Sequence, residues 1–304
     1  MNRLNPETIQ ERSKFIKKVR EFFYEKNFIE VDTPCLVHTP SMEPHLDPYE
    51  VNTENGTKYL ITSPEYSMKK ILSMGCKKIF ELSHSFRAKE QGKLHTSEFL
   101  MLEWYWVDSN LDELIDMSLE FINSVLNRDF KKKVITLEEW FQRNYHHGIE
   151  ENELRSNTLL KHLETENMSY EEMFFRLFLP TENKLNSEGL VFLIDYPEAL
   201  RAYATVKNGK AQRFEIYLNG VEIANAFNEE KSATCLLDII EEEKRLRKDL
   251  KKKVFNLDND FVNSLTNFNE NITGIALGLD RLFAYHQGVD DLCKISFYPQ
   301  ISRG

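Results

Sequence analysis

The sequence predicts an α+β fold in which an antiparallel sheet is flanked by helices. Three observations carry this. Residues 78–87 and 97–107 alternate in hydrophobicity over long spans, and strand-like patterning returns at 191–227. In "QRFEIYLNGVEIANAFNEE" (212–230), Asn219-Gly220 sits between two alternating runs. That is the strongest short hairpin signal, because both residues tolerate the positive φ of a type I′ turn. Helical stripes lie outside these strands, the first at Phe15, Ile16, Val19, Phe22 and Phe23.

The elements follow in order. Residues 11–28 form the first helix, and "IEVDTPCLV" alternates as a strand stopped by Pro34. Residues 39–58 are turn-rich. "TSPEYSMKKILSMG" starts a helix with Ser63 as cap and Pro64 at its first position, and Gly75 ends it. The two long strands come next, then an amphipathic helix near 111–127. The stretch 130–190 has the weakest pattern and is expected to be a helical insertion within a single 1–304 domain. "LLDIIEEEKRLRKDLKKK" reads as a helix with Glu241–Arg245 and Glu243–Arg247 at i,i+4. "NITGIALGLDRLFAYHQG" reads as a strand running into a helix.

The 304 residues are 41% hydrophobic and 29% charged, ample for a sizeable core. A net charge of −10 argues against nonspecific nucleic-acid binding, which needs a basic surface. No apolar run approaches the ~20 residues of a membrane span, and "MNRLNPETIQERSKF" lacks a secretory segment. Cys35, Cys76, Cys235 and Cys293 are scattered without C-x-x-C spacing and read as reduced thiols of a cytoplasmic protein.

Period-two alternation sorts the side chains into faces. In the first strand pair, Phe80, Leu82, His84, Phe86, Leu100, Leu102, Trp104 and Trp106 make an apolar face. Glu81, Ser83, Ser85, Arg87, Phe99, Met101, Glu103 and Tyr105 make the other, which suits either solvent or a ligand. In the last strand Gly274, Ala276 and Gly278 share a face, which permits close approach to the backbone or tight packing. Arg281 follows, placed to reach an anion over that strip. A two-residue hairpin loop pairs Glu215 with Ala224 and Ile216 with Ile223, making Glu215 and Glu222 same-face diagonal neighbours. Two such carboxylates either stand in solvent or ligate a hard cation; Mg²⁺ takes one or two carboxylates plus phosphate oxygens. Asn225, Phe227 and Glu229 reach that face only if a bulge intervenes between residues 222 and 226. Arg87, Arg281, the carboxylate pair and Phe99 together suit ATP. No Cys–His or Ser–His pairing supports covalent nucleophilic catalysis.

These segments resemble a known family. "FR" in a long hairpin, "HTSEFLMLEWY" and "GIALGLDRL" are similar to motifs 2 and 3 of class II aminoacyl-tRNA synthetases, and "FIEVDTP" resembles motif 1, the usual dimer interface. "TSPEYSMKKIL", "EFLMLEWYW" and "GVEIANAFNEE" resemble the lysine branch. Motif 1 stands almost at Met1, where a lysyl-tRNA synthetase carries an anticodon-binding domain first. The chain therefore resembles the elongation factor P–(R)-β-lysine ligase family.

The resemblance implies a class II synthetase-like sheet, ATP and Mg²⁺, lysine or β-lysine as substrate, elongation factor P as acceptor in place of tRNA, and a homodimer. It implies that Arg87 contacts the α-phosphate, with His95 and Arg281 near the outer phosphates. Phe99 and Arg281 would sandwich adenine, and Glu215 and Glu222 would hold magnesium. Ser63 and Glu65 lie in the substrate-binding motif, Glu65 receiving the amino group nearer the carboxylate. Glu103, Tyr105 and Glu229 would surround the distal ammonium, with Asn225 and Phe227 shaping the pocket. Ala276 stands where lysyl-tRNA synthetases have glycine and the β-lysine ligases alanine. Departures are Lys89 in place of the motif 2 glutamate, with Glu90 next to it, and "HTSEF" and "NAFNE" in place of commoner forms. The basic runs at 128–133 and 244–253 suit either an acidic partner or solvent. A truncated lysyl-tRNA synthetase-like ligase and a non-catalytic amino-acid sensor remain the alternatives.

Overall fold

The computed structural model describes residues 5–157, 159–160, 168–266 and 268–296; residues 158 and 161–167 of the expected insertion lie outside these. Helix α1 (Pro6–Glu25) starts under Asn5, whose side chain accepts from the Thr8 N–H. The single strand expected over "IEVDTPCLV" is two short ones, β1 (Ile29–Glu30) and β2 (Leu36–Val37), on either side of Pro34. Proline cannot donate to a ladder, so the chain leaves one sheet and enters another there. The turn-rich stretch contains β3 (Glu50–Thr53) and β4 (Gly56–Leu60), which complete a three-stranded sheet with β2.

Helix α2 (Glu65–Leu72) begins one residue later than expected, and no side chain caps it. Pro64 occupies the cap position, which leaves Ser63 too far back to serve the first turn. Gly75, at φ +100°, closes the helix by donating its N–H to the Leu72 carbonyl. Strands β5 (Lys78–Phe86) and β6 (Glu98–Val107) and helix α3 (Leu111–Leu126) follow as expected.

The 130–190 stretch is largely helical, with α4 (Leu137–Tyr145), α5 (Glu151–Ser156) and α6 (Tyr170–Glu182), but it opens with a strand, β7 (Val134–Thr136). Then come β8 (Leu190–Pro197), β9 (Val206–Lys207), β10 (Lys210–Leu218) and β11 (Val221–Asn228). Helices α7 (Ala233–Asp249) and α8 (Asn259–Leu265), strand β12 (Ile272–Gly278) and helix α9 (Leu279–His286) complete the order.

The main sheet runs β1-β5-β6-β12-β11-β10-β8-β7, with β9 beside β10. Only the outermost pairs, β1/β5 and β7/β8, are parallel. The last strand thus inserts between two hairpins formed much earlier in the chain. One face is apolar: Phe80, Leu102, Trp104, Phe214, Ile216, Ile275 and Leu277 pack with α1, α3 and α9. Phe23 of α1 stacks on Phe80 with centroids 4.7 Å apart. The opposite face is polar across its centre.

The β10–β11 turn has Asn219 at φ 48° and Gly220 at φ 74°, as the sequence requires. Leu218 pairs with Val221 and Tyr217 with Glu222, but the register then shifts. Ile216 pairs with Ala224 and Glu215 with Asn225, so the expected Ile216–Ile223 and Glu215–Ala224 pairings do not form. Ile223 is the extra residue of a bulge, and it keeps Ile223 and Ala224 in the core while Glu222 and Asn225 share the polar face.

Helix α7 also departs from expectation. Its exposed pairs are Glu241–Lys244 and Glu242–Arg245 at i,i+3, while Glu243 and Arg247 turn inward. The helix packs against neighbouring chain on that side, which converts two surface-like residues into buried ones. The basic runs are laced with acid within the chain: Lys132 pairs with Asp116, Lys133 with Glu188 and Lys253 with Glu50.

Candidate active site

Register places the expected residues in lateral rows across the polar face. One row is Glu81, Glu103, Ala276, Asn225 and Glu215, each opposite the next on adjacent strands. The neighbouring row is Tyr105, Gly274, Phe227 and Arg213. Strands stand about 4.8 Å apart, so Glu103 and Glu215 are separated by roughly 14 Å of sheet.

At the β6 end lies an acidic, aromatic cluster. Glu103 is buried, accepts from the Tyr105 hydroxyl, and leaves Oε2 without a partner. Burial, and then Glu65, push its pKa well up. Glu229, just past β11, is fully buried; its N–H bonds the Ile272 carbonyl and its Oε1 has no hydrogen-bond partner. Glu65 opens α2 and faces the same cluster. Lys69, one helical turn on, pairs with Glu65 and Glu229 at 2.6 Å each. Sequence reasoning missed Lys69, because Glu65–Lys69 has the i,i+4 spacing of an ordinary surface pair.

Gly274 lies under this cluster for a steric reason. A Cβ there would stand 2.4 Å from Glu229 Oε1 and 2.4 Å from Tyr105 Cε1. Ala276, half-buried one step along the strand, already carries a methyl between Glu103 and Asn225. Gly274→Ala is therefore expected to destabilise the fold by about 1–3 kcal/mol and to displace Glu229, read by urea unfolding and by amino-acid binding.

Farther along the strands, toward the β5–β6 loop and the start of β11, the groups suit anions. Arg281 on α9 donates to the Glu222 carbonyl at 2.7 Å and the Leu94 carbonyl at 3.2 Å, and its Nη2 is 2.8 Å from His95 Nε2. Burial, and then Arg281, push the His95 pKa down. Arg87 lies over the Phe99 ring at 5.1 Å. Lys89 turns away to Asp47 at 3.0 Å, and Glu90 approaches Arg87 at 3.7 Å, taking up the place beside the arginine that Lys89 leaves.

Glu222 makes no ion pair among the described residues, and burial, then Glu215, push its pKa up. A divalent cation would relieve this like-charge contact. Glu215 is partly engaged already: Arg213 donates to it at 2.6 Å and Tyr217 at 2.8 Å. The two carboxylates thus fit Mg²⁺ in number and chemistry. Arg213, also unforeseen, ties the two rows together at β10. It bonds Asn225 at 2.9 Å and lies over Phe227 and Tyr196 at 5.3 and 4.2 Å.

Ser63 alone of the expected set lines a different space. A cavity of about 500 Å³ lies between residues 34–41, α2 and residues 257–260, and Ser63 and Tyr66 form part of its wall.

With this geometry in place the comparisons are decisive. The family of class II tRNA synthetases (D, K and N) matches residues 1–302. The chain belongs to this family. It is 39% identical over 291 residues to an elongation factor P–(R)-β-lysine ligase homolog of Aquifex aeolicus, covering 93% of this chain and 96% of that protein. It is 28% identical over 306 residues to the elongation factor P–(R)-β-lysine ligase of Photobacterium profundum, covering 96% and 95%. With that of Hamiltonella defensa it shares 27% over 310 residues, covering 95% and 93%.

Behind the class II site runs a chain of buried hydroxyls. The Met42 N–H donates to Tyr66, Tyr66 and Tyr203 share a 2.9 Å bond, and Tyr203 donates to Glu243 at 2.7 Å. Burial pushes Glu243 up to about 8 from its ordinary 4.5, so the native state keeps a proton that the unfolded chain releases between those values. Its contribution to stability is full below the unfolded value and is lost as pH rises through the folded one. Glu243→Gln should remove a loss on the order of 2–4 kcal/mol between about pH 5 and about pH 8, read as the difference between wild-type and variant urea curves.

Proposed function

We propose that the chain is an ATP-dependent ligase that adenylates lysine, preferably (R)-β-lysine, and transfers it to a lysine side chain of elongation factor P. The observation that carries this is a single polar sheet face: Glu103, Tyr105 and Glu229 cluster on it, and Arg87, Arg281 and Glu222 stand farther along the strands, toward the β5–β6 loop and the start of β11, with Glu215 on neighbouring β10. A cationic amino acid and a polyphosphate would lie side by side on it. The names of the relatives support the substrate and the acceptor.

In this reading Arg87 draws the substrate carboxylate and the α-phosphate together, and the carboxylate attacks phosphorus in line, releasing pyrophosphate. Positioning and charge neutralisation supply the acceleration. Arg281 and His95 hold the outer phosphates, and Phe99 and Arg281 the adenine. Mg²⁺, held by Glu215 and Glu222, would neutralise phosphate charge. Glu65 takes the amino group nearer the carboxylate; Glu103, Tyr105 and Glu229 take the distal one, with Asn225 and Phe227 shaping the pocket. The Ala276 methyl stands where it disfavours α-lysine, an effect of about 10–200-fold for one methyl. The acceptor amine then attacks the mixed anhydride and displaces AMP.

The exposed Ile9, Tyr24 and Ile29, on α1 and the edge strand β1, support a homodimer through this region. No described helix is long and apolar enough to cross a membrane. An elongation-factor acceptor, in this reading, puts the reaction in the cytoplasm. Intact-mass measurement of elongation factor P after incubation with the chain, ATP and (R)-β-lysine tests the proposal. Addition of one lysyl group is expected. An unmodified factor together with tRNA charged by α-lysine would point instead to a truncated tRNA synthetase, and no reaction with either acceptor to a sensor.

A further inference from the structure

Lys69 is fully buried on α2, and the rings of Tyr203, Tyr105 and Phe261 surround its Nζ at 5.3, 5.7 and 5.7 Å. With Glu65 and Glu229 each at 2.6 Å, this is a complete cage for an ammonium group. The chain fills it with its own side chain. No other cation lies within ion-pair distance of Glu65 or Glu229 among the described residues. Three carboxyl groups (Glu65, Glu103 and Glu229) meet one fixed ammonium, so with all three ionised two negative charges lack a fixed partner. Two of the atoms left over, Glu103 Oε2 and Glu229 Oε1, are buried without a hydrogen-bond partner.

We propose that Lys69 is a positioning residue that sets substrate specificity: a resident ammonium that reduces the cluster's charge to the amount neutralised by an amino acid bearing two ammonium groups. This rests on the reading that the polar face binds a lysine-like substrate. Buried carboxylates without partners take up protons instead of remaining charged. Without Lys69 the cluster would hold one proton more, and which groups stay charged would no longer be fixed. By holding one oxygen each of Glu65 and Glu229, Lys69 also fixes where their second oxygens point, that of Glu229 lying over Gly274 beside Tyr105.

The groups facing Lys69 support this. Glu65 comes from its own helix, Glu103 and Tyr105 from β6, and Glu229 from the end of β11. Tyr203, from the loop before β9, is bonded in turn to Tyr66 and to Glu243 of α7. All are acidic or neutral. Burial works against the Lys69 charge, yet Glu229 and Glu65 push its pKa up, and burial pushes Glu229 up against the opposing pull of Lys69.

ATP–pyrophosphate exchange by the full chain across pH tests the proposal. Lys69→Met is expected to raise the KM for lysine or β-lysine at least about tenfold and leave the KM for ATP within about twofold. The acid limb of kcat/KM for the amino acid should move up by about one pH unit or more. The double variant Lys69→Met/Glu229→Gln again has two unmatched carboxylates, and it should return the limb toward its wild-type position. An unmoved limb in Lys69→Met, both KM values rising together, or a double variant no better than the single one would overturn the proposal. Should either variant fail to fold, the wild-type chain still decides. A substrate with a hydroxyl in place of the distal ammonium is expected to lose at least about 100-fold in kcat/KM, and a loss below about tenfold would refute the charge count. No exchange by wild type with either lysine isomer would instead refute the functional reading itself.

Discussion

Arg281→Ala is expected to lower ATP–pyrophosphate exchange by about 10²–10³-fold, the usual loss for one preorganised donor at a site of developing charge. The guanidinium is half-buried and already aimed. Two backbone carbonyls and His95 hold it between the β5–β6 loop and the start of β11. Arg281→Lys should recover only a small part of the activity, because an ammonium cannot make this forked set of contacts and also meet a phosphate. Both variants keep the apolar side of α9 in the core, where Leu282, Phe283 and Ala284 are buried. Thermal unfolding should therefore shift far less than the exchange rate. A loss of exchange that tracks a loss of fold would assign Arg281 a structural role only.

The largest expected effect on stability is at Arg247. Its side chain is 1% exposed, donates to the carbonyls of Lys253, Glu43 and Leu46 at 2.6, 2.7 and 3.0 Å, and covers the Phe255 ring at 4.5 Å. Arg247→Met keeps the apolar stem but strands these acceptors, at a cost of about 3–5 kcal/mol. Exposed Lys248→Met, one residue on, should change stability by less than about 0.5 kcal/mol. Function should follow stability in the arginine variant. The loop that Arg247 clamps also accepts the Ala88 N–H at the Asp47 carbonyl, next to Arg87. Urea unfolding and exchange measured on the same samples check both effects.

The sheet faces were legible because strand side chains alternate with a period of two, and that rule sorted β5, β6 and β12 correctly. The rule also identified the point where it must fail. Glu222 and Asn225 share a face only through a bulge, and Ile223 supplies it. Less legible was whatever depended on distant partners. Glu229 stands far from α2 in sequence, so nothing local reveals that Lys69 bridges it to Glu65. Glu243 and Arg247 have the spacing of an exposed ion pair and are buried only because α7 packs on other segments. Strand β7 was hidden because its three residues gain a strand identity only beside β8. From sequence Pro34 reads as a stop, whereas it marks a passage between two sheets.

Exchange of pyrophosphate into ATP with (R)-β-lysine, α-lysine and norleucine tests most directly whether one sheet face holds a cation site beside a phosphate site. Exchange that is fastest with (R)-β-lysine, slower with α-lysine and lost with norleucine is the expected result. Exchange as fast with norleucine as with lysine, or none with any of the three, would contradict it.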